Sequence, residues 1–193
     1  MVEDNSFSTF NENITLHELL TLYYDNFAGK TYHYHMLHTD TSAEITFEVG
    51  HMKSLLGLHH FGYTGKQNQA EKMIYNMLNN EATFEMLKKK NPQMYKKKLK
   101  QIQYLQFLPD LMKNGSFGIS TLSNHQNKID FFIFTCVQER NIYLGIKKEK
   151  HSDIYHPVTF IIDKKNHFHH VDFIHPNGMP FLIELVGTSY RVY

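Results

Sequence analysis

Residues 131–163 read FFIFTCVQERNIYLGIKKEKHSDIYHPVTFIID, and the pattern of this stretch decides the fold class. It contains three runs rich in β-branched and aromatic residues, FFIFTCVQ, NIYLGIKK and PVTFIID, which short polar segments separate. Such runs are typical of strands, and the gaps between them are too short for the crossover helices that parallel strands need. Together with the later runs VDFIHP and PFLIELVG, they predict a C-terminal antiparallel meander of at least four strands from about residue 129 onward.

The residues before this stretch form a helical middle. Apolar residues recur at helical spacing in QNQAEKMIYNMLNN (67–80), in TFEMLKKK (83–90) and in PQMYKKKLKQIQYLQFL (92–108). Asn91 and Pro92 separate the last two segments, since proline is favoured in the first turn of a helix. We expect these helices to pack against or beside the sheet.

The N-terminal part predicts one more helix and a hairpin. In ITLHELLTLYYDNFAGK, Thr15 and Glu18 have the spacing of a capping box. The segments TYHYHMLHT (31–39) and EITFEVG (44–50) alternate with period two, which is typical of a β-hairpin. Since two strands alone are marginally stable, this hairpin must pack on something else.

The chain therefore predicts one α+β domain over residues 1–193: an N-terminal helix and β-hairpin, a helical middle and a C-terminal antiparallel β-meander. Residues 1–13 are polar and predict a flexible arm. We see no repeat, no low-complexity linker and no composition break that would mark a second domain.

Composition limits the class of protein. Hydrophobic residues make up 41% and charged residues 20% of 193 residues, as in an ordinary globular protein. The single cysteine, Cys136, excludes an intrachain disulfide and a cysteine-based zinc cluster, and it favours a cytoplasmic location. No apolar run approaches the roughly 20 residues of a membrane span. The formal net charge of +1 does not indicate a partner.

The distribution of charge is more informative. KKKNPQMYKKKLK, residues 88–100, holds seven lysines and no acidic residue. A basic strip is the electrostatic signature of phosphate binding, although a solvated helix face has the same composition. Tyr95 within the run offers a surface on which a base could stack, or it belongs to the core.

Fourteen histidines raise the question of a metal site. His33 and His35, and likewise His167 and His169, are two residues apart and would share one strand face, as a pair of metal ligands would. However, the chain has no HExxH motif and few acidic residues near these pairs. We therefore expect no metal and no cofactor, and rank a histidine–metal protein last.

HMKSLLGLHHFG, residues 51–62, joins an apolar run to two adjacent histidines. We expect burial of the leucines of this run, Leu55, Leu56 and Leu58. This burial would hold His59 rigidly beside solvent, as general acid–base catalysis requires. The alternative is a half-buried histidine with only a structural role.

Four segments resemble, in this order, a family of phage and prokaryotic nucleases, the fourth phage-type group of the Barnase–EndoU–colicin–RelE-like superfamily. They are ITFEVGHMKSLLGLHHF, the Asn-Glu-Ala-Thr-Phe turn, YLGIKK (143–148) and YHPVTF (155–160), and the resemblance covers about residues 31–165. Two positions depart from the pattern. Ser54 stands where a histidine is expected, and Gln101 stands where an arginine is expected.

The resemblance implies a metal-independent endoribonuclease in which the RNA 2′-hydroxyl attacks its own phosphate. It implies a toxin or a phage or mobile-element effector, with RNA as substrate and an antitoxin or immunity protein as possible partner. The residues carried over as catalytic are His59, Tyr155, Thr159 and Lys147, with Tyr155 and Thr159 on one strand face. Those expected to bind RNA are Lys90, Tyr95, Lys97 and Lys100.

The competing interpretation is a binding protein without chemistry. A phage or mobile element could encode a protein of this size that blocks a host or defence component through the same basic strip. The departure at Ser54 favours this interpretation slightly. RNA cleavage by wild type and His59→Ala would separate the two.

Overall fold

The computed structural model describes residues 8–36, 41–63, 67–119, 129–164 and 183–190. The helices are α1 (Leu16–Asn26), α2 (His51–Leu55), α3 (Gln67–Asn79), α4 (Phe84–Lys90), α5 (Pro92–Gln103) and α6 (Leu108–Asn114). The strands are β1 (Lys30–Met36), β2 (Thr41–Phe47), β3 (Ser116–Ile119), β4 (Phe131–Val137), β5 (Arg140–Lys148), β6 (Ile154–Lys164) and β7 (Ile183–Tyr190). Short 3₁₀ turns follow α2 and α5, at Leu58–Phe61 and Tyr104–Phe107.

The N-terminal helix and hairpin form as predicted. The Thr15 hydroxyl accepts the Glu18 backbone N–H at 3.1 Å, and the Glu18 carboxylate accepts the Thr15 N–H at 2.6 Å. This reciprocal pair is the capping box, and it fixes where α1 begins. Strands β1 and β2 pair antiparallel, with Tyr34 opposite Ala43.

The seven strands of the described ranges belong to one mixed sheet, in the order β3-β4-β5-β6-β2-β1-β7. An antiparallel meander is present, since β3 to β6 pair antiparallel in sequence order, but it begins before residue 129 and only β4, β5 and β6 come from the predicted range. The hairpin joins this meander through β2, which pairs parallel with β6 over two residues. The hairpin thereby gains the support that two isolated strands lack, and the predicted α+β fold is confirmed.

The last strand differs from a simple continuation of the meander. Strand β7 lies beside β1 at the far side of the hairpin, and it does not pair with β6. The preceding run VDFIHP lies outside the described residues. The edge of β6 is already occupied by β2, so the nearest strand edge left for β7 is that of β1.

Two of the predicted middle helices, α5 and α6, pack on the sheet, and the short helix α2 does so as well. Helix α6 packs on β4, while α2 and α5 pack on β6. One buried cluster contains side chains from α1, the hairpin, the helical middle and the meander, and the anchor leucines Leu55, Leu56 and Leu58 are fully buried within it. None of the helices in the described ranges is long and apolar enough to cross a bilayer.

Candidate active site

A histidine pair and a lysine meet where α2 packs on β6. The antiparallel pairing of β5 with β6 places Lys147 directly opposite His156. Cross-strand partners project from the same face of a sheet, so the ammonium and the imidazole share one face. The His51 ring, at the start of α2, stacks on the His156 ring with 5.4 Å between centroids and 20° between planes. Three elements thus contribute one side chain each.

A cleft of about 520 Å³ opens around this group. Its lining residues are Glu48, His51, Lys147, Lys148, Glu149, Lys150 and His156. Three lysines and two glutamates carry the formal charges of this lining. The Lys148 ammonium lies 2.7 Å from the Asp153 carboxylate. Lys147 and Lys150 then supply the positive charge that an anion such as phosphate requires.

His51 is held in one protonation state. Its Nδ1 accepts the Glu48 backbone N–H at 3.0 Å. Burial, and to a smaller extent the neighbouring His156, lowers the pKa of His51 to about 3. The ring is therefore neutral at neutral pH, and because Nδ1 accepts a hydrogen bond, the proton belongs on Nε2. His51 thus supplies a neutral N–H donor.

His156 has the properties of a proton acceptor. Burial is the largest cause that lowers the pKa of His156, and Lys147 lowers it further, whereas Glu149 and Glu48 act in the opposite direction. Its Nδ1 lies 3.9 Å from the Glu149 carboxylate, and no hydrogen-bond partner reaches this atom within the described part of the chain. A neutral, half-buried imidazole can act as a general base, and because Nδ1 is enclosed by protein, that role falls to Nε2.

Two predicted catalytic residues on β6 are separated by the structure. A register shift in the β5–β6 pairing inserts one extra residue before Thr159. Thr159 lies beside Gly145, where a Cβ on the glycine would stand 2.7 Å from the threonine methyl carbon. The Tyr155 ring instead packs edge-to-face on Phe131 in the main core, with centroids 5.1 Å apart. The expectation that Tyr155 and Thr159 share a face is wrong, since a β-bulge shifts the alternation.

His59 lies beside solvent but apart from the cleft. It is exposed on the 3₁₀ turn, with its ring 3.9 Å from the His60 ring, and it does not line the cleft. Burial, then Lys98 and Lys53, lowers the pKa of His59. His59 therefore belongs to a second group, in which two neutral histidines lie near Lys98 and Lys53.

The two departures from the family pattern have separate structural roles. Ser54 is exposed on α2, while His51, one helical turn earlier, lines the cleft. The Gln101 amide donates to the Phe160 carbonyl, and its oxygen accepts the Lys98 ammonium at 2.9 Å. Gln101 thus connects α5 to β6. The pairing of β6 with β2 involves only Ile154 and Tyr155, at the start of β6.

The predicted RNA-binding residues differ in exposure. Lys97 and Lys100 are exposed on α5, and the Lys90 ammonium lies 4.5 Å from the centroid of the Tyr63 ring. Tyr95 is half-buried and packs against Phe84, with 6.3 Å between ring centroids. This contact favours a packing role for Tyr95, whereas the lysines remain available for phosphate.

Sequence reasoning did not assign roles to His51 and His156. His51 lies in the segment ITFEVGHMKSLLGLHHF and His156 in YHPVTF, both of which carry the family resemblance. A hairpin register that places Lys147 opposite position 156 would have indicated His156. Among the described residues, no group of three or more His, Cys, Asp or Glu is placed to hold a metal ion. His33 instead contacts Ser189, at 2.7 Å from Nε2 to the hydroxyl, and the His167 and His169 pair lies outside those residues.

Comparison with known proteins agrees with the resemblance found in the sequence. A family model described as phage-Barnase-EndoU-ColicinE5/D-RelE like nuclease4 matches residues 15–182. The match runs from the residue that caps α1 to the residue before β7, and so includes every lining residue of the cleft. No curated protein and no solved structure matches the chain.

Proposed function

We propose that this chain, which belongs to the phage-Barnase-EndoU-ColicinE5/D-RelE like nuclease family, is an endoribonuclease. The proposed reaction uses no metal ion. The RNA 2′-oxygen attacks the adjacent phosphorus, the bond from phosphorus to the 5′-oxygen breaks, and the products carry a 2′,3′-cyclic phosphate and a 5′-hydroxyl. The observation that carries this proposal is the stacked His51–His156 pair beside Lys147 in one cleft.

Each of the three side chains has a role in this reaction. Neutral His156 takes the proton from the 2′-hydroxyl. The Lys147 ammonium and the Nε2–H of His51 donate to the phosphate oxygens as negative charge develops in the transition state. One of the lysine ammonium groups that line the cleft returns a proton to the departing 5′-oxygen.

The other predicted residues enter the proposal in altered roles. Thr159 shares the Gly145 side of β6 with Lys147 and is proposed as a further hydroxyl donor to the substrate. Tyr155 is a positioning residue, since its ring lies 5.9 Å from the Lys148 ammonium. His59 remains the alternative proton acceptor.

The basic strip gives the proposal its binding surface. Lys90, Lys97 and Lys100 would hold phosphates that flank the cleaved bond, and Lys98, near His59, extends the same positive field. The effector role and the cognate antitoxin or immunity protein stay predictions. Growth arrest on expression, relieved by a neighbouring gene product, would support them.

The test is a cleavage assay on the full chain purified without a tag. We expect cleavage of RNA in the presence of EDTA, with 2′,3′-cyclic phosphate ends detected by mass spectrometry. The same oligonucleotide with 2′-O-methyl groups should remain intact, because it lacks the attacking hydroxyl. Cleavage of the methylated strand, or loss of activity in EDTA, would contradict the proposal. Tight RNA or protein binding without cleavage would favour the non-catalytic binding protein.

A further inference from the structure

A second pocket, of about 570 Å³, adjoins the cleft. Glu48 lines both, so the two spaces meet at a single residue. Its other lining residues include three tyrosines, Tyr24, Tyr75 and Tyr190, and two acidic residues, Asp25 and Glu71. We call this space the tyrosine pocket.

The tyrosine pocket presents aromatic surface to solvent. Tyr24 and Tyr75 are 43% and 41% exposed, and their rings meet edge-to-face with centroids 6.0 Å apart. Tyr190, on β7, is 73% exposed, with the Lys30 ammonium 5.4 Å from its ring centroid. Three exposed tyrosines around one pocket are unusual for core packing, and they are the side chains on which bases stack.

The charge of the tyrosine pocket is opposite to that of the cleft. Asp25, Glu48 and Glu71 against Lys30 give a net charge of −2 among its lining residues. A phosphate is repelled there and favoured in the cleft, whose lining includes Lys147 and Lys150. Carboxylates accept hydrogen bonds from the amino groups of bases, so the pocket suits the uncharged part of a nucleotide.

The wall between the two spaces is fixed by hydrogen bonds on both sides of Glu48. Its carbonyl accepts the Tyr23 hydroxyl at 2.7 Å, and its N–H donates to His51. Burial raises the pKa of Tyr23 well above its usual range, so this hydroxyl remains a donor. A group bound beside Glu48 is therefore held in register with the histidine pair.

We propose that the tyrosine pocket binds the base of the nucleotide next to the cleaved phosphate and prefers a base with an exocyclic amino group. This inference rests on the proposed nuclease function, because it assigns the adjacent cleft to the phosphate. Glu48 lines both spaces and places them next to each other, which favours a substrate base over a basic side chain of a protein partner.

The first test uses DNA oligonucleotides that carry a single ribonucleotide, so that cleavage occurs at one phosphate. The bases on either side of that phosphate are varied in turn. At one of the two positions we expect adenine, cytosine or guanine to be preferred over uracil by about tenfold in kcat/KM. Tyr75→Ala should lower kcat/KM by about fivefold to a hundredfold, and Tyr75→Phe, which keeps the ring, should not.

Variants that remove the negative charge test the role of the pocket carboxylates in base preference. Asp25→Asn combined with Glu71→Gln should reduce the preference for an amino-bearing base to less than about threefold. Glu139→Gln, an exposed change in the β4–β5 turn, is the matched control and should keep it. If wild type cleaves RNA but neither the tyrosine nor the carboxylate variants alter base preference, the inference fails while the nuclease proposal stands.

A binding arm keeps the inference testable if RNA is not cleaved. Saturation-transfer NMR with adenosine, cytidine, guanosine and uridine as probes should detect the first three, and Tyr75→Ala should abolish the signal. No nucleoside signal would overturn the inference. Binding of a short arginine- and lysine-rich peptide alone would also overturn it and assign the pocket to a protein partner.

Discussion

The segment HMKSLLGLHHFG contributes to two pairs of neighbouring histidine rings, one at its start and one near its end. The two pairs differ in the contacts that hold the rings in place. His51 and His156 are joined across α2 and β6, and the Glu48 N–H holds one ring. His59 and His60 are adjacent in sequence, on a turn among lysines. The first pair is set by tertiary packing, whereas the second follows from the local sequence alone. A histidine motif in a sequence thus need not mark the histidine with the most constrained chemistry.

The leucine anchor between the two pairs should give the largest effect. Leu56 is fully buried, so Leu56→Ala should cost about 2–5 kcal/mol of unfolding free energy and disturb both pairs. Ser54→Ala, an exposed change two residues earlier on α2, should stay within about 0.5 kcal/mol. Urea denaturation of both variants measures the difference. Equal stability of the two variants would show that the anchor does not hold this region.

The pH dependence of stability should separate the pairs next. Because the folded state keeps the pKa of His51 at about 3 while the unfolded value is 6.5, the unfolded chain binds a proton first as pH falls. The contribution of His51 to the free energy of unfolding is fully present above pH 6.5 and is lost as the pH falls toward 3. After allowance for partial exposure of the ring, this loss is about 2–4 kcal/mol.

Matched asparagine variants test this dependence. His51→Asn keeps an acceptor for the Glu48 N–H and removes the titrating group, so it should flatten the acid limb of the denaturation midpoint against pH. His59→Asn should leave most of that limb, since His59 is exposed. An unchanged limb in His51→Asn would mean that another group dominates acid unfolding.

The smallest expected effect concerns exposed lysines of the basic strip. Lys96 and Lys97 are exposed on α5, and their reversal to Glu should weaken RNA binding. The slope of log K against log salt should fall by roughly one unit per lost phosphate contact at most. Fluorescence anisotropy at several salt concentrations gives this slope. Binding that matches wild type throughout would identify the strip as a solvated helix face.

Local sequence patterns predicted the helices and strands. They did not predict the order of the strands in the sheet, which depends on long-range pairing. The capping box at Thr15 and the strand runs in residues 131–163 are local, and the structure follows them. Strand β7 lies beside β1 because the edge of β6 is occupied, which no alternation pattern reveals.

The candidate site shows the same limit. A single-residue bulge in β6 separates Tyr155 from Thr159, and a bulge has no periodic signature when the surrounding residues are all β-formers. The stacking of His51 on His156 joins residues more than a hundred positions apart, so spacing could not indicate it. Lys147 was found because its position depends only on the end of β5.

The most direct test of the account is the pH profile of RNA cleavage in wild type, His156→Ala and His59→Ala. Wild-type kcat/KM should rise with pH with a midpoint below pH 6.5, because burial lowers the pKa of His156. His156→Ala should lose about a hundredfold or more, together with this limb, while His59→Ala keeps the limb and stays within about tenfold of wild type. A hundredfold loss in His59→Ala with wild-type activity in His156→Ala would contradict the account and move the chemistry to the surface pair.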